Sequence, residues 1–557
     1  MQGPQALAAL FQQGLSLHQQ GQLEQARLAY ERMLALHPGH ADAMHMLGVI
    51  AMQSTNYALA VELISVSVQA NPVNATAQLN LGLAYKELQR FDKALSCYQQ
   101  AIDLRPGYAQ AFFNRALVLH AAGRLDAALA DFEKALEIKP DYAQAWNNQG
   151  VVLQEQLRWD EAATSYVRAI AAQPDLGQAH YNLGNALRAL GRFEEAITSY
   201  DAAIALEADA AHAFNNRGLA LQELQSSAQA IASYDAAIAI QANYADAYWN
   251  KAIELLLCGD FAQGWKLYEW RWQRDTFSSR KRDFAQPLWL GDAPLVGKTV
   301  LLHAEQGLGD SIQFCRYVRE VQALGAHVLL EVPRPLLSLF ASLEGVSQII
   351  EKAAPLPQFD YHCPLLSLPL AFQTQLENLP GRTPYLASTA PQRDRWQRRL
   401  GPRTQPRVGL VWSGNALDKN DLQRSVRLQD LLPYLSSDFE FICLQKEMRP
   451  ADQDAIQTSR IRFFGAQIED FSDTAALCDL VDLVISVDTS VAHLAGALGK
   501  PTWILLPYTP DWRWMLHRDD SPWYPSVRLY RQTQERAWPS VLERMRSDLS
   551  GFPGGGA

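Results

Sequence analysis

Apolar and small residues recur with helical spacing through the first half of the chain, and the same positions return every 34 residues. Each period predicts a pair of helices. A small residue near the middle of the first helix is expected to let the second helix approach closely. The small residues are Gly14, Gly48, Gly82, Ala116, Gly150, Gly184, Gly218 and Ala252. The second helices carry Ala26, Ala60, Ala94, Ala128, Ala162, Ala196 and Ala230. Four residues later most have an aromatic, predicted to fill the gap between neighbouring pairs: Tyr30, Tyr98, Phe132, Tyr166, Tyr200 and Tyr234.

Prolines end the predicted second helices at the same interval, since proline cannot continue a helix. They are Pro38, Pro72, Pro106, Pro140 and Pro174. A period of 34 residues is typical of tetratricopeptide repeats. The pattern predicts eight repeats within residues 1–278, the last of them degenerate. Terminal repeats are usually atypical, so Trp265, Trp270 and Trp272 are expected to dock the last repeat onto the second half of the chain.

Asparagine keeps the same step, although it is a mediocre residue for a helix interior. The row consists of Asn80, Asn114, Asn148, Asn182, Asn216 and Asn250. Stacked carboxamides offer donors and acceptors along one line, which suits the backbone of an extended peptide. Alternatively, these amides bridge or cap neighbouring helices.

After a linker at 279–296, helical spacing gives way to short apolar runs that alternate with helical segments, which predicts parallel sheets. We expect one lobe over 297–395, a second over 396–550 and a disordered tail at 551–557. The predicted strands are Val300–His303, His327–Val332, Gln348–Ile350, Asp360–Pro364, Arg407–Trp412, Glu440–Gln445, Arg462–Gly465, Leu483–Val487 and Thr502–Pro507. A helix is expected from about Ser311 to Ala323. The fold class is thus an α-solenoid followed by α/β, and ligands of such sheets bind beyond the carboxyl ends of the strands.

Composition removes several function classes. A formal net charge of −10 argues against nucleic acid as the main partner. The six cysteines include no CxxC pair, so neither a zinc site nor a disulfide framework is indicated. The first residues lack the features of a signal peptide, and no apolar run reaches the roughly 18 residues that a membrane helix needs. A cytoplasmic protein without a transmembrane segment is expected.

The strongest chemical motif follows the predicted strand Leu483–Val487. Asp488, Thr489 and Ser490 stand where a helix begins, and His493 lies one turn further. Free N–H groups and the helix dipole favour an anion at such a terminus, and the hydroxyl groups add donors. The alternative is an ordinary helix cap with a core histidine.

Two further strand ends carry suitable groups. Ser413 and Gly414 follow one strand of the second lobe, with Lys419 and Arg424 beyond them. A glycine-rich turn after the first strand of the first lobe ends in Asp310. Hydroxyl groups, a lysine and a histidine from one lobe facing a lone carboxylate from the other would suit displacement of a nucleoside diphosphate.

Residues 297–545 resemble the lipopolysaccharide heptosyltransferases, which have the two-lobed GT-B glycosyltransferase fold. The resemblance is carried by Gly309 and Asp310, by Ser413 through Lys419, and by Asp488 and Thr489 with His493. The resemblance implies that Asp310 is a general base, that Ser413, Lys419, Thr489 and His493 hold the diphosphate, and that Asp488 shapes the loop. Gly414 and Ser490 belong to the same donor-binding loops. The repeats and their asparagines are similar to those of the protein O-GlcNAc transferases.

Four residues near the presumed cleft have two interpretations each. Trp512 and Trp514 are expected either to stack on the sugar or base or to pack between the lobes. Gln445 and Lys446 end a strand, where they would contact the nucleotide or simply belong to the surface.

The sequence therefore predicts an inverting glycosyltransferase without a bound metal or cofactor, using a nucleotide-diphosphate sugar as donor. In the leading hypothesis the acceptor is a protein or peptide held by the repeats. In a second hypothesis the acceptor is a cell-surface glycan or a lipid-linked sugar, and the repeats dock a partner. A third is a non-catalytic scaffold with a degenerate nucleotide-binding half. Such repeats often dimerise, so a homodimer is a further possibility.

Overall fold

The computed structural model describes residues 3–207, 209–277, 279, 281–381, 383–415 and 421–553. Contacts divide the chain into two compact units, which we call the first unit, Met1–Ala220, and the second unit, Leu221–Ala557. The division falls within a helix of the seventh repeat. Among the described residues, none of the helices combines the length and apolar character needed to cross a membrane.

The repeats consist of consecutive helix pairs, α1 and α2 forming the first and α15 and α16 the eighth, which confirms the predicted repeat architecture. The helices are α1 Gly3–Gln19, α2 Leu23–Leu36, α3 Ala41–Gln53, α4 Tyr57–Ala70, α5 Ala75–Glu87, α6 Phe91–Leu104, α7 Ala109–Ala121, α8 Leu125–Ile138, α9 Ala143–Glu155, α10 Trp159–Ala172, α11 Gly177–Ala189, α12 Phe193–Ala205, α13 Ala210–Glu223, α14 Ser227–Ile240, α15 Ala245–Leu257 and α16 Phe261–Tyr268.

The periodic small residues are needed because an aromatic side chain lies directly against them. A Cβ atom added to Gly82 would lie 2.5 Å from the Tyr98 ring, and one added to Gly184 would lie 2.6 Å from Tyr200. These tyrosines are fully buried. Both tyrosines thus pack closely on the first helix of their own repeat, whereas the pattern predicted a position between neighbouring pairs.

The second unit contains two parallel sheets, which confirms the α/β prediction. The first has the strand order β3-β2-β1-β4 and the second the order β10-β9-β8-β5-β6-β7. The strands are β1 Thr299–His303, β2 His327–Val332, β3 Gln348–Glu351, β4 Tyr361–Pro364, β5 Arg407–Val411, β6 Glu440–Cys443, β7 Arg462–Phe463, β8 Leu483–Val487, β9 Thr502–Leu506 and β10 Val527–Arg531. The sequence did not predict β10.

Helices cover these sheets and connect their strands. They are α17 Leu308–Phe314, α18 Val318–Ala323, α19 Leu337–Phe340, α20 Leu368–Ala371, α21 Ala390–Leu400, α22 Asp421–Arg424, α23 Leu428–Leu431, α24 Gln453–Thr458, α25 Phe471–Asp479, α26 Ser490–Ala497 and α27 Trp538–Ser550. One prediction was wrong here: the helix expected from Ser311 to Ala323 begins at Leu308, and a 3-10 turn, Cys315–Tyr317, divides it in two.

The eighth repeat shares its hydrophobic core with the α/β part of the second unit. The centre of the Trp265 ring lies 5.2 Å from the centre of the Trp512 ring and 6.5 Å from that of Phe314. This contact confirms the predicted docking role of Trp265. Trp270 instead stacks on Tyr248 at 3.8 Å, and Trp272 packs against Phe277.

Candidate functional site

A cavity of about 1070 Å³ lies at the carboxyl ends of strands from both sheets of the second unit. The residues that line it include segments that follow β1, β5, β6, β8 and β9, and the carboxyl ends of strands are where parallel sheets bind ligands. Asp310, Ser413, Thr489 and His493 are among the lining residues, so the structure brings together the groups that the sequence proposed separately.

Asp310 lies in the first turn of α17, and both of its carboxylate oxygens are engaged. Oδ2 accepts a hydrogen bond from the Gly307 N–H at 2.8 Å, which closes the turn at the start of the helix. Oδ1 accepts one from Arg513 Nη2 at 2.5 Å. Burial raises the pKa of Asp310 above its ordinary value, while the Arg513 charge and the Gly307 hydrogen bond oppose that rise.

Asp488, Thr489 and Ser490 connect β8 to α26, as predicted. Thr489 is the residue before the helix, and its hydroxyl lies 3.2 Å from the Ser486 hydroxyl. The start of α26 lines the cavity. The first N–H groups of a helix have no partner within the helix, so this terminus suits an anion. Burial raises the pKa of Asp488, and the nearby Asp511 charge raises it further.

His493 is a buried side chain held on both sides. Its Nδ1 lies 3.0 Å from the Tyr524 hydroxyl, and its ring stacks on Trp514 at 5.2 Å between centroids. Gly309 leaves room for it, because a Cβ there would lie 2.9 Å from the imidazole. Burial lowers the pKa of His493 well below its usual value, and nearby arginine charges lower it further. At neutral pH this residue therefore offers hydrogen bonds rather than a positive charge.

Ser413 and Gly414 follow β5 at the cavity, and Gln445 holds the start of this loop in place. Gln445 Oε1 accepts from the N–H groups of Trp412 and Ser413, and its Nε2 donates to the Ser413 hydroxyl at 3.0 Å. Lys446 donates to the Glu469 carbonyl at 2.8 Å. Both residues line the cavity, and their contact with a nucleotide stays a prediction. Lys419 lies outside the described residues.

Trp512 and Trp514 are almost completely buried. Trp512 packs among Trp265, Tyr268 and Trp523, and Trp514 supports His493. These contacts correspond to the packing interpretation of the aromatic run. A contact with sugar or base stays a prediction for both.

Sequence reasoning missed the part of the cavity wall that the eighth repeat supplies. Trp249, Ile253 and Tyr268 line the cavity. A signal was present, because Tyr268 stands 34 residues after Tyr234 and so continues the aromatic row. The role of Arg513 was also missed, and no spacing in the sequence indicates its contact with Asp310.

Behind this wall lies a buried ion-pair network. Arg271, which is fully buried, donates to both carboxylate oxygens of Glu305 at 3.1 Å and to the Ser367 hydroxyl at 2.7 Å. Burial raises the pKa of Glu305 to about 7 against the opposing charge of Arg271. The network ties the eighth repeat to the segment that leads into Asp310.

Several asparagines of the predicted peptide row are bonded within the repeats. Asn114 and Asn148 donate to main-chain carbonyls four residues earlier. Asn80 bonds to His45, Asn182 donates to Asn147, and Asn216 donates to Tyr181 and Asn185. Asn250 also has a partner. The bonds of Asn80, Asn182 and Asn216 join two helices, as in the helix-bridging alternative. Those of Asn114 and Asn148 stay within one helix. Peptide binding by the row stays a prediction.

Comparison with protein families identifies the repeats. Residues 11–75 and 79–143 match a tetratricopeptide repeat family, residues 184–225 a TPR repeat family, and residues 211–244 a further tetratricopeptide repeat family. The chain is also similar to Protein FlbA of Caulobacter vibrioides, with 27% identity over 325 residues. That match takes up 54% of this chain and 54% of FlbA, so the chain spans about half the length of this relative.

The solved structures that are similar to part of this chain include MamA and PilF. MamA is 26% identical, covers 29% of this chain and 94% of its own, and gives a TM-score of 0.28. PilF of Pseudomonas aeruginosa is 21% identical, covers 40% of this chain and 97% of its own, and gives a TM-score of 0.35. The chain thus contains tetratricopeptide repeats in its N-terminal half and parallel α/β sheets in its C-terminal region.

Proposed function

We propose that the second unit is a glycosyltransferase of the GT-B type that moves a sugar from a nucleotide-diphosphate sugar to an acceptor hydroxyl. The observation that carries this proposal is that Asp310 and the start of α26 line the same cavity. A carboxylate suits a general base, and a helix terminus with flanking hydroxyl groups suits a diphosphate.

The reaction is written as a direct displacement. The acceptor hydroxyl gives its proton to Asp310, and its oxygen forms a bond to the anomeric carbon of the sugar. The bond from that carbon to the diphosphate oxygen breaks, and its electron pair leaves with the nucleoside diphosphate. Attack from the face opposite the leaving group inverts the anomeric configuration.

The leaving group meets preorganised donors in this proposal. The N–H groups at the start of α26, the Thr489 and Ser490 hydroxyls and the neutral His493 imidazole supply hydrogen bonds to the developing charge. Lys419 would add a point charge. Ser413, held by Gln445, and Gly414 would flank the diphosphate from the loop after β5. No step of this scheme calls for a metal ion or a cofactor.

The acceptor is proposed to be a protein or peptide, because tetratricopeptide repeats are suited to protein binding. A cytoplasmic location and a homodimer remain predictions of the same kind. Replacing Asn80, Asn148 and Asn216 together by alanine tests the acceptor. If these residues hold a peptide, transfer to protein is lost while hydrolysis of the donor sugar continues. Retention of both activities would instead support the glycan or lipid-linked acceptor.

The experiment that tests the reaction combines binding with turnover. The wild type is expected to gain thermal stability with one nucleoside diphosphate and to release sugar from the matching donor. Asp310→Asn should lower transfer by about a thousandfold while keeping that stabilisation, because the base is removed and the diphosphate site remains. The matched control is Asp394→Asn, an exposed position on α21, which should behave as the wild type.

Two outcomes would contradict the proposal. If no nucleoside diphosphate stabilises the wild type and no donor is turned over, the second unit is a scaffold rather than a transferase. If Asp310→Asn transfers sugar at the wild-type rate, another group is the base.

A further inference from the structure

We propose that Arg513 is a positioning residue for Asp310, which fixes the orientation of the carboxylate and keeps it charged for proton transfer. This inference rests on the proposed function, since it assigns a partner to the base. Arg513 lies in the loop after β9, whereas Asp310 lies in α17, the helix after β1.

The guanidinium of Arg513 contacts two side chains of α17. Its Nη2 donates to Asp310 Oδ1 at 2.5 Å, and its Nε donates to Gln313 Oε1 at 2.8 Å. Residues three apart on a helix share a face, so the planar fork of arginine spans both. A lysine at this position could supply the charge but not the two directed bonds.

Arg513 is itself held before any ligand arrives. Its Nη1 donates to Asp511 Oδ1 at 2.9 Å, and Asp511 also accepts the Arg513 N–H at the start of the 3-10 turn Trp512–Trp514. The guanidinium lies 4.3 Å from the centre of the Trp512 ring. The side chain is only 9% exposed. Its orientation therefore depends on the loop and not on solvent.

The contact orients Asp310 without blocking it. Each carboxylate oxygen can accept more than one hydrogen bond, and the second oxygen is anchored by Gly307 at 2.8 Å. The side chain keeps 18% of its surface exposed at the cavity. An acceptor hydroxyl can thus reach a carboxylate whose rotation is already restricted.

Charged and titratable groups approach Asp310 from several elements. Arg513 and Asp511 come from the loop after β9, and Glu305, paired with Arg271, comes from the loop after β1. The eighth repeat contributes Tyr268, and Asp488 and His493 face the cavity from β8 and α26. Burial raises the pKa of Asp310, Arg513 lowers it and Asp511 raises it. Removing Arg513 and removing Asp511 must therefore shift the titration in opposite directions.

The first test is the pH profile of kcat/KM for transfer, whose acidic limb reports the base in the free enzyme. Arg513→Gln should move this limb to higher pH by about one to two pH units, with the donor KM changed by less than about threefold. Arg513→Lys should restore the limb but only part of kcat, and Asp511→Asn should move the limb to lower pH. The matched control is Arg518→Gln in the same loop, whose arginine pairs with the exposed Asp520, and it should leave the profile unchanged.

A fall in activity at all pH values with no movement of the limb would overturn the proposal, since a merely structural role predicts that result. So would a shift of Arg513→Gln and Asp511→Asn in the same direction.

The second test does not depend on catalysis. Asp310→Asn and Arg513→Gln are combined in a double-mutant cycle on the unfolding equilibrium constant. A coupling of about tenfold is expected for a partly buried charge pair, and a coupling below about twofold would overturn the proposal. If the coupling is present and the wild type transfers no sugar, the proposed function fails and the pairing of Arg513 with Asp310 stands.

Discussion

The eighth repeat and the repeats of the first unit keep the same periodic positions but make different contacts with them. Tyr200 packs on Gly184 and donates to the Asn185 side chain at 2.8 Å, all within the repeats. Tyr268 occupies the equivalent position of the eighth repeat, yet it packs against Trp249 and Trp512 and lines the cavity. The 34-residue period therefore predicts the position of a residue within its repeat. The role of Tyr268 depends instead on its contact with Trp512, which lies outside the repeats.

The largest effect that tests this comparison concerns Arg271. Arg271→Met should reduce the free energy of unfolding of the second unit by about 3 to 5 kcal/mol at pH 8, because Glu305 is left buried and uncompensated. The loss should be smaller at pH 6, where Glu305, with its pKa raised to about 7, is protonated. Urea unfolding followed by tryptophan fluorescence measures it, since most of the 14 tryptophans lie in the second unit.

The matched variant in the first unit is Arg115→Met. Arg115 pairs with Asp131 within the fourth repeat at 2.6 Å, but the arginine is 18% exposed. Because water can replace the lost partner, we expect a cost of about 1 to 2 kcal/mol, read by hydrogen exchange in α7. Equal costs in the two units would show that the eighth repeat is no more tightly coupled to its surroundings than the other repeats.

Adding Glu305→Gln to Arg271→Met should recover part of the stability that Arg271→Met loses.

The sequence predicts the fold best where local pattern and burial agree. The strands β2 and β8 lie at their predicted bounds, because each is a short apolar run buried on both faces. The strand β10 was missed, since two arginines interrupt its five residues. The start of α17 was misplaced because Asp310 and Gly307 close the first turn together, which depends on a glycine acting as the cap.

The candidate site could be predicted only in part. Asp310 and the segment Asp488–His493 follow strands, so strand order alone brings them to one edge of their sheets. The contact of Arg513 with Asp310 joins residues 203 apart in sequence, and no periodicity encodes it. The neutral state of His493 depends on burial by Trp514 and Tyr524, which is a property of the assembled core. Tertiary contacts decide these features.

A second prediction sharpens the comparison from the side of the first unit. Gly184→Val should destabilise the sixth helix pair, α11 and α12, by about 2 to 3 kcal/mol, because the new side chain would overlap the buried Tyr200 ring. Thermal unfolding followed by the helical circular dichroism signal measures this change. Gly107→Val is the matched control, since nothing lies within 4 Å of a Cβ there, and a change within about 0.5 kcal/mol is expected. Similar losses at both positions would contradict the close packing of the repeats.

The third and smallest effect is the pH dependence that a buried histidine gives to the second unit. His303 is 2% exposed, and its Nε2 lies 3.3 Å from His362 Nδ1. Burial, together with the smaller effects of the charges of His362, Arg282, Arg271 and Lys352, lowers the pKa of His303 to about 3.

Below about pH 6.5 the unfolded chain therefore binds a proton at this residue that the folded chain does not bind, and stability falls as the pH decreases. The slope approaches about 1.4 kcal/mol per pH unit for one group, so the wild type should lose about 1.6 kcal/mol more than His303→Gln between pH 6.5 and pH 5. Urea unfolding at the two pH values measures the difference, and other titrating groups affect both proteins alike. His327→Gln, at an exposed position that begins β2, is the matched control and should keep the wild-type slope. If His303→Gln keeps that slope as well, His303 takes up its proton in the folded state, and the first sheet must open to water around it.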